Sequence, residues 1–126
     1  MLKDNDARAT IAVKDIAVAK KFYETVVGLT PEPETEPGVV SFKTGSSSIL
    51  VYQSQFAGTN RATAATWMVD GDLEGVVKAL KAKGVTFEHY DGMPGVTRKG
   101  DIHFAGTLKN AWLKDPDGNV LALISS

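Results

Sequence analysis

Residues 9–29, ATIAVKDIAVAKKFYETVVGL, decide how this chain folds. From Arg8 to Val13 the residues alternate, with Ala9, Ile11 and Val13 on one face and Arg8, Thr10 and Ala12 on the other. A period of two predicts a strand with two unlike faces. Asp15 follows, and its carboxylate can accept hydrogen bonds from the first free N–H groups of a helix. In that helix Ala19, Phe22, Tyr23 and Val26 make one apolar stripe. Lys20, Lys21 and Glu24 take the wet side, and Gly28 supplies the left-handed residue that stops it.

The same order returns at 64–87, AATWMVDGDLEGVVKALKAKGVTF. Ala64 to Val69 is a second strand, Asp72 a second cap, and Leu73, Val76, Val77 and Leu80 a second stripe that Gly84 ends. Around these two units the other segments fall into place. Residues 1–7 form a polar arm, and TPEPETEPG at 30–38 is an exposed loop, since its prolines forbid a helix or central strand. Val39 to Thr44 and Ile49 to Gln53 pair as a hairpin across GSSS, and Ser54 to Ala62 link the halves. Val85 to Tyr90 is read as a strand and 91–110 as a long Gly-rich loop. The last strands, Ala111 to Lys114 and Val120 to Ser125, are joined by DPDGN, whose Pro and Asp-Gly set a tight turn.

The expected fold is α+β: two βαβββ modules, at 8–53 and 64–125 of one domain spanning 1–126, forming a curved mixed-sheet cup with the helices outside. One face of each sheet is aliphatic and belongs under its helix. The other carries a mixture suited to a binding cavity.

Composition narrows the function. The chain has 126 residues, 43% hydrophobic and 23% charged, with a net charge of −1. That balance, without a polybasic run, favours neither nucleic acid nor a membrane. No apolar run approaches the ~20 residues that span a bilayer. The N-terminal MLKDNDAR has acids where a signal peptide has an apolar stretch, so a cytoplasmic location is expected. There is no cysteine, which excludes disulfides, thiolate metal sites and a Cys nucleophile.

Val13-x-Asp15, Phe22-Tyr23, Gly28-Leu29 and Asp115-Pro-Asp-Gly-Asn119, taken with the internal repeat, resemble the vicinal oxygen chelate proteins. These include glyoxalase I, extradiol dioxygenases and bleomycin-resistance proteins. The resemblance implies a homodimer. In metal-dependent members it also implies four His, Glu or Gln ligands on the cup floor, a donor set suited to a divalent ion with open positions. The matching positions here hold Arg8, Leu50, Ala122 and either Ala64 or Ala65. None can donate to a cation, so no metal and no cofactor is expected.

The candidate ligand-binding residues are Arg8, Tyr52, Thr66, Met68, His103, Phe104 and Trp112. Arg8 can pair bidentately with a carboxylate or phosphate, or sit on the rim in solvent. Tyr52 shares the parity of Leu50 and can face the cup or pack. His103 is either a solvated loop residue or an acid/base at the cup mouth. Trp67 and Trp112 suit either core packing or stacking on a planar ligand. His89 reads as a surface strand residue, and the cluster Glu32, Glu34 and Glu36 as a solvated loop. Asp115, Asp117 and Asn119 fail as a calcium loop, because Val120 stands where Gly is needed and no Glu closes the loop.

The primary expectation is a metal-free protein of the bleomycin-resistance type that binds a small molecule, sequestering a drug or metabolite. One alternative is a metal-free lyase, isomerase or hydrolase with Tyr52 or His103 as acid/base. Another is a metal-dependent glyoxalase or dioxygenase.

Overall fold

Both helices begin where their aspartates predict. Asp15 Oδ1 accepts hydrogen bonds from the N–H groups of Ala17 at 2.9 Å and Val18 at 3.3 Å. Asp72 Oδ1 accepts from Gly75 N–H at 2.9 Å. The computed structural model in which these contacts are seen describes residues 2–34 and 36–126; Met1 of the expected arm and Thr35 of the expected loop lie outside the described residues.

The first module contains β1 (Ala9–Val13), α1 (Ile16–Lys21), β2 (Thr30–Pro31), β3 (Val39–Thr44) and β4 (Ser47–Gln53). α1 runs on into a π-helical segment, Phe22–Val27. There Thr25 Oγ1 donates to the carbonyl of Lys21. A hydroxyl bonded back four residues competes with the α-helical ladder and loosens it. Gly28 ends the segment at φ 86°, a conformation that costs glycine nothing. The sheet order is β1-β4-β3-β2, with β1 parallel to β4 and the other pairs antiparallel.

The second module contains β5 (Thr63–Met68), α2 (Leu73–Ala82), β6 (Phe87–Glu88), β7 (Thr97–Lys99), β8 (Ile102–Ala105), β9 (Leu108–Lys114) and β10 (Val120–Ser125). Its order is β5-β10-β9-β8-β7, with β6 also paired to β9 and β5 parallel to β10. The fold is therefore α+β, built from two βαβββ modules.

Three local expectations are corrected. Thr30 and Pro31 form an edge strand on β3, a place where proline loses no ladder hydrogen bond. Only Phe87–Glu88 of the expected 85–90 strand pairs. The expected loop at 91–110 instead holds the β7–β8 hairpin and the start of β9. Arg98 of β7 ties down the preceding loop by donating Nε and Nη2 to the two carboxylate oxygens of Asp91, each at 2.9 Å.

The helix-facing residues of both sheets merge into one core. Ile11, Val13, Phe42 and Val51 come from the first module and Ala111, Leu113, Leu121 and Leu123 from the second, with Tyr23 and Leu73 entering from the helices. Each large apolar side chain so buried contributes roughly 1.5–3 kcal/mol.

The turn between β9 and β10 fastens the halves. Asp115 Oδ1 accepts from the N–H groups of Asp117 at 2.9 Å and Asn119 at 2.8 Å, which fixes the turn. Its Oδ2 accepts from the hydroxyl of Tyr23, on the first helix, at 2.8 Å and from Asn119 Nδ2 at 2.8 Å. Asn119 Nδ2 also donates to the carbonyl of Ala12 in β1 at 2.8 Å. Burial, then the adjacent Asp115 carboxylate, raises the pKa of the Tyr23 phenol, so it remains a donor. A second tie joins Trp67 Nε1 of β5 to Thr44 Oγ1 at the tip of the β3–β4 hairpin, at 2.9 Å.

Candidate functional site

Strand alternation sorts the exposed faces. In β3 and β4 the buried Val40, Phe42, Ile49 and Val51 face the core, which puts Ser41, Lys43, Ser48, Leu50 and Tyr52 on the other side. Lys43 and Ser48 are direct partners across the β3–β4 ladder. Arg8, immediately before β1, donates from Nη2 to Ser41 Oγ, and Ser41 Oγ donates to Glu32 Oε1 at 2.6 Å. This relay pins the guanidinium. Among the described residues its other N–H groups and the Lys43 ammonium have no hydrogen-bonding or ion-pair partner.

A polar chamber of about 560 Å³ opens over these groups, lined by Arg8, Lys43, Glu32, Asp6 and, at the hairpin tip, Ser46–Ser48. A second chamber of about 540 Å³ lies at the seam of the two modules. Its wall is Ala9 and Ile49 on one side and Ala65, Thr66, Trp67 and Met68 on the other. Ser46, Ser47 and Ser48 line both chambers. One end of the pair is thus charged and hydroxylated, and the other is largely apolar with an indole in its wall.

Among the sequence candidates, Arg8 lines the polar chamber and Thr66 and Met68 line the seam chamber. Tyr52, His103, Phe104 and Trp112 line neither. Tyr52 stands opposite Ala12 and Val39 in its sheet, partly in solvent.

His103 corrects the expectation of a loop residue: it lies in β8 and is wholly buried. Its ring sits 4.8 Å from that of Trp112, edge to face, and Tyr90 completes an aromatic cluster with both. His103 Nε2 accepts the Tyr90 backbone N–H at 2.9 Å, so the neutral ring carries its proton on Nδ1, which has no hydrogen-bonding partner. Burial pushes its pKa below the usual histidine value. His103 and Tyr52 lie in different sheets, and they line neither chamber. Phe104 corrects a second expectation. It occupies the opposite face of β8 and packs against the core, with the Lys109 ammonium 6.0 Å from its ring centre.

Sequence reasoning missed Lys43, Ser46, Ser47 and Ser48, and gave Trp67 no definite place at a site. The run of hydroxyls at a hairpin tip was the available signal. It means little until the Trp67–Thr44 bond folds that tip against β5.

A family model described as the glyoxalase/bleomycin resistance protein/dioxygenase superfamily matches residues 7–123. The chain belongs to this superfamily. No curated protein matches it by sequence. Its fold is similar to that of an integron cassette protein from the mobile metagenome of the Halifax Harbour sewage outfall (TM-score 0.71, 15% identity, covering 94% of this chain and 96% of that one). It is also similar to the fosfomycin resistance protein FosX from Listeria monocytogenes (0.67, 13%, 97% and 90%) and to a lactoylglutathione lyase from Agrobacterium tumefaciens (0.66, 18%, 97% and 94%).

The metal ligands of the superfamily's metal-dependent members have no counterpart here. Ala65 is a core residue, so alternation puts Ala64 on the open face as the fourth position. Arg8, Leu50, Ala64 and Ala122 offer a fixed cation and three hydrocarbon side chains. Ala122 is buried in the ladder between Thr66 and Trp112. Among the described residues no three His, Cys, Asp or Glu side chains group to hold a metal. These residues do not fit a divalent ion. No helix in the described residues is long and apolar enough to cross a membrane.

Proposed function

We propose that this superfamily member is a metal-free, cytoplasmic protein that binds a small molecule and sequesters a drug or metabolite. The observation that carries the reading is the pair of chambers sharing the Ser46–Ser48 wall, charged at one end and apolar at the other. Binding of this kind needs concavity, apolar surface and a few fixed polar groups, and each chamber falls within the ~300–1,000 Å³ usual for such sites. Fold relatives named for fosfomycin resistance and for lactoylglutathione lysis support small-molecule handling by this scaffold.

A compound panel screened by thermal shift tests the proposal, with Thr66→Trp as the control. Thr66 is exposed and lines the seam chamber, so the bulky ring fills the chamber without disturbing the core. Compounds that raise the melting temperature of the parent but not of Thr66→Trp support it. A panel with no stabilising compound, or with equal shifts in both proteins, refutes it. A homodimer belongs to the same proposal: Tyr52 and Met68 stay exposed on the open faces, and sedimentation velocity at micromolar concentration reads the assembly state directly.

A further inference from the structure

We infer that the preferred ligand is an amphipathic monocarboxylate, its carboxylate held by Arg8 and Lys43 in the polar chamber and its apolar body in the seam chamber. This rests on the small-molecule reading above and names the ligand's class.

The head-group argument begins with Arg8. Its guanidinium is fixed through Nη2 to Ser41, which is itself fixed to Glu32, so the fork does not have to be ordered when a ligand arrives. Pre-organisation removes part of the entropy cost of binding. The remaining N–H groups of a guanidinium match the two oxygens of a carboxylate. Lys43 lies two residues beyond Ser41 on the same face of β3, with the Ser48 side chain beside it. A second cation and a hydroxyl therefore line the same chamber as the guanidinium.

Charge sets the valence. Arg8 and Lys43 face Asp6 and Glu32 in the same chamber, a formal sum of zero. The hydrogen bond from Ser41 does not cancel the Glu32 charge, so a monoanion takes the chamber to a formal −1 and a dianion to −2. A dianion such as a phosphate monoester would place its second charge against two carboxylates.

The body argument rests on the shared wall. Beyond Ser46–Ser48 the lining changes to Ile49, Ala65, Trp67 and Met68, with no charged side chain. A ligand long enough to pass the turn puts carbon against carbon there, and removal of apolar area from water favours it by roughly 25 cal/mol per Å².

The test uses the full chain and three probes of one length: octanoate, octanamide and octylammonium, at fixed pH and ionic strength. The Trp67 indole N–H resonance, assigned with Trp67→Phe, reports the seam chamber. Octanoate is expected to shift this resonance saturably and to bind about 10-fold or more tightly than octanamide, with octylammonium weakest. Arg8→Gln is expected to weaken octanoate about 10-fold or more and to leave octanamide unchanged, with Lys43→Gln giving a smaller loss in the same direction. Equal binding of octanamide, tighter binding of octylammonium, or undiminished octanoate binding by both variants overturns the carboxylate assignment and leaves the cavity reading standing. If none of the three probes moves the Trp67 resonance and no panel compound stabilises the fold, both readings fall together.

Discussion

In the first module, Arg8, Ser41, Lys43 and Ser48 stand on the face away from the core, and no aromatic ring covers them. In the second module the corresponding face carries Tyr90, His103 and Trp112 packed edge to face, and His103 has no exposure at all. The strand orders of the two modules correspond, β1-β4-β3-β2 against β5-β10-β9, with β6 on β9 in the place that β2 holds on β3. The difference is the β7–β8 hairpin, present only in the second module, which supplies His103. In this repeated scaffold one open face is filled by an aromatic cluster, and the other, with the seam, is left as chambers. Equivalent positions in a repeat need not share a role, because the role is set by what the neighbouring segment lays over them.

The largest effect is expected where the two modules are joined. Asp115→Ala removes an acceptor of four hydrogen bonds, including the one from the buried Tyr23 hydroxyl, and should lower stability by about 3 kcal/mol in urea denaturation. A loss under about 1 kcal/mol would mean that the modules are held together by apolar packing alone. Next comes the aromatic cluster. Trp112→Ala should cost about 2–3 kcal/mol, near the lower end of large-to-small changes because the ring is only partly buried. It should leave thermal shifts by seam-chamber ligands intact. Loss of those shifts would break the division of labour between the two faces.

The helix caps offer a symmetrical comparison. Asp15→Ala and Asp72→Ala should each cost about 1 kcal/mol, since each removes the acceptor for a helix's first N–H groups. Markedly unequal losses would show that the π-helical extension of the first helix has changed how that end is held.

The smallest effect is a pH dependence. Burial lowers the His103 pKa, so the unfolded chain takes up a proton there first. His103 therefore contributes stability that is full above about pH 6.5, the unfolded value, and is lost as pH falls from there toward the folded value. The Asn110 backbone and, less strongly, Asp91 oppose this shift, and Arg98 and His89 reinforce it. His103→Asn should show a smaller drop in urea midpoint between pH 7.5 and pH 5.5 than the parent. The Glu74, Asp91 and Asp101 carboxyls are each held low chiefly by hydrogen bonds from basic side chains, Lys109, Arg98 and Lys81 respectively. They lose their contribution only as pH falls below the usual carboxylate range of about 4, outside this window.

Local chemistry explains what was legible in the sequence. Asp15, Asp72 and Gly28 act on their own backbone neighbours, so their roles follow from spacing, and the DPDGN turn is encoded in the same way. The β7–β8 hairpin was not legible, because Gly100 and Gly106 mark turns without saying which strands they join, and His103 gains its setting only by pairing with Asn110 of β9. The open-face parity of Thr66 and Met68 followed from alternation. The polar chamber did not, because it needs Glu32, Ser41 and Lys43 brought to Arg8 from separate segments.

Ser46, Ser47 and Ser48, at the tip of the β3–β4 hairpin, have a further consequence. They line two chambers, and the polar one takes the rest of its wall mainly from residues outside the strands, Asp6, Ala7, Arg8 and Glu32. Substitutions at these three positions would reshape both chambers while the β3–β4 register is kept. Under the proposed function, selectivity can change through substitutions at one hairpin tip that lies outside the core. Under the same proposal, relatives with other side chains at these three positions should differ in ligand before they differ in fold.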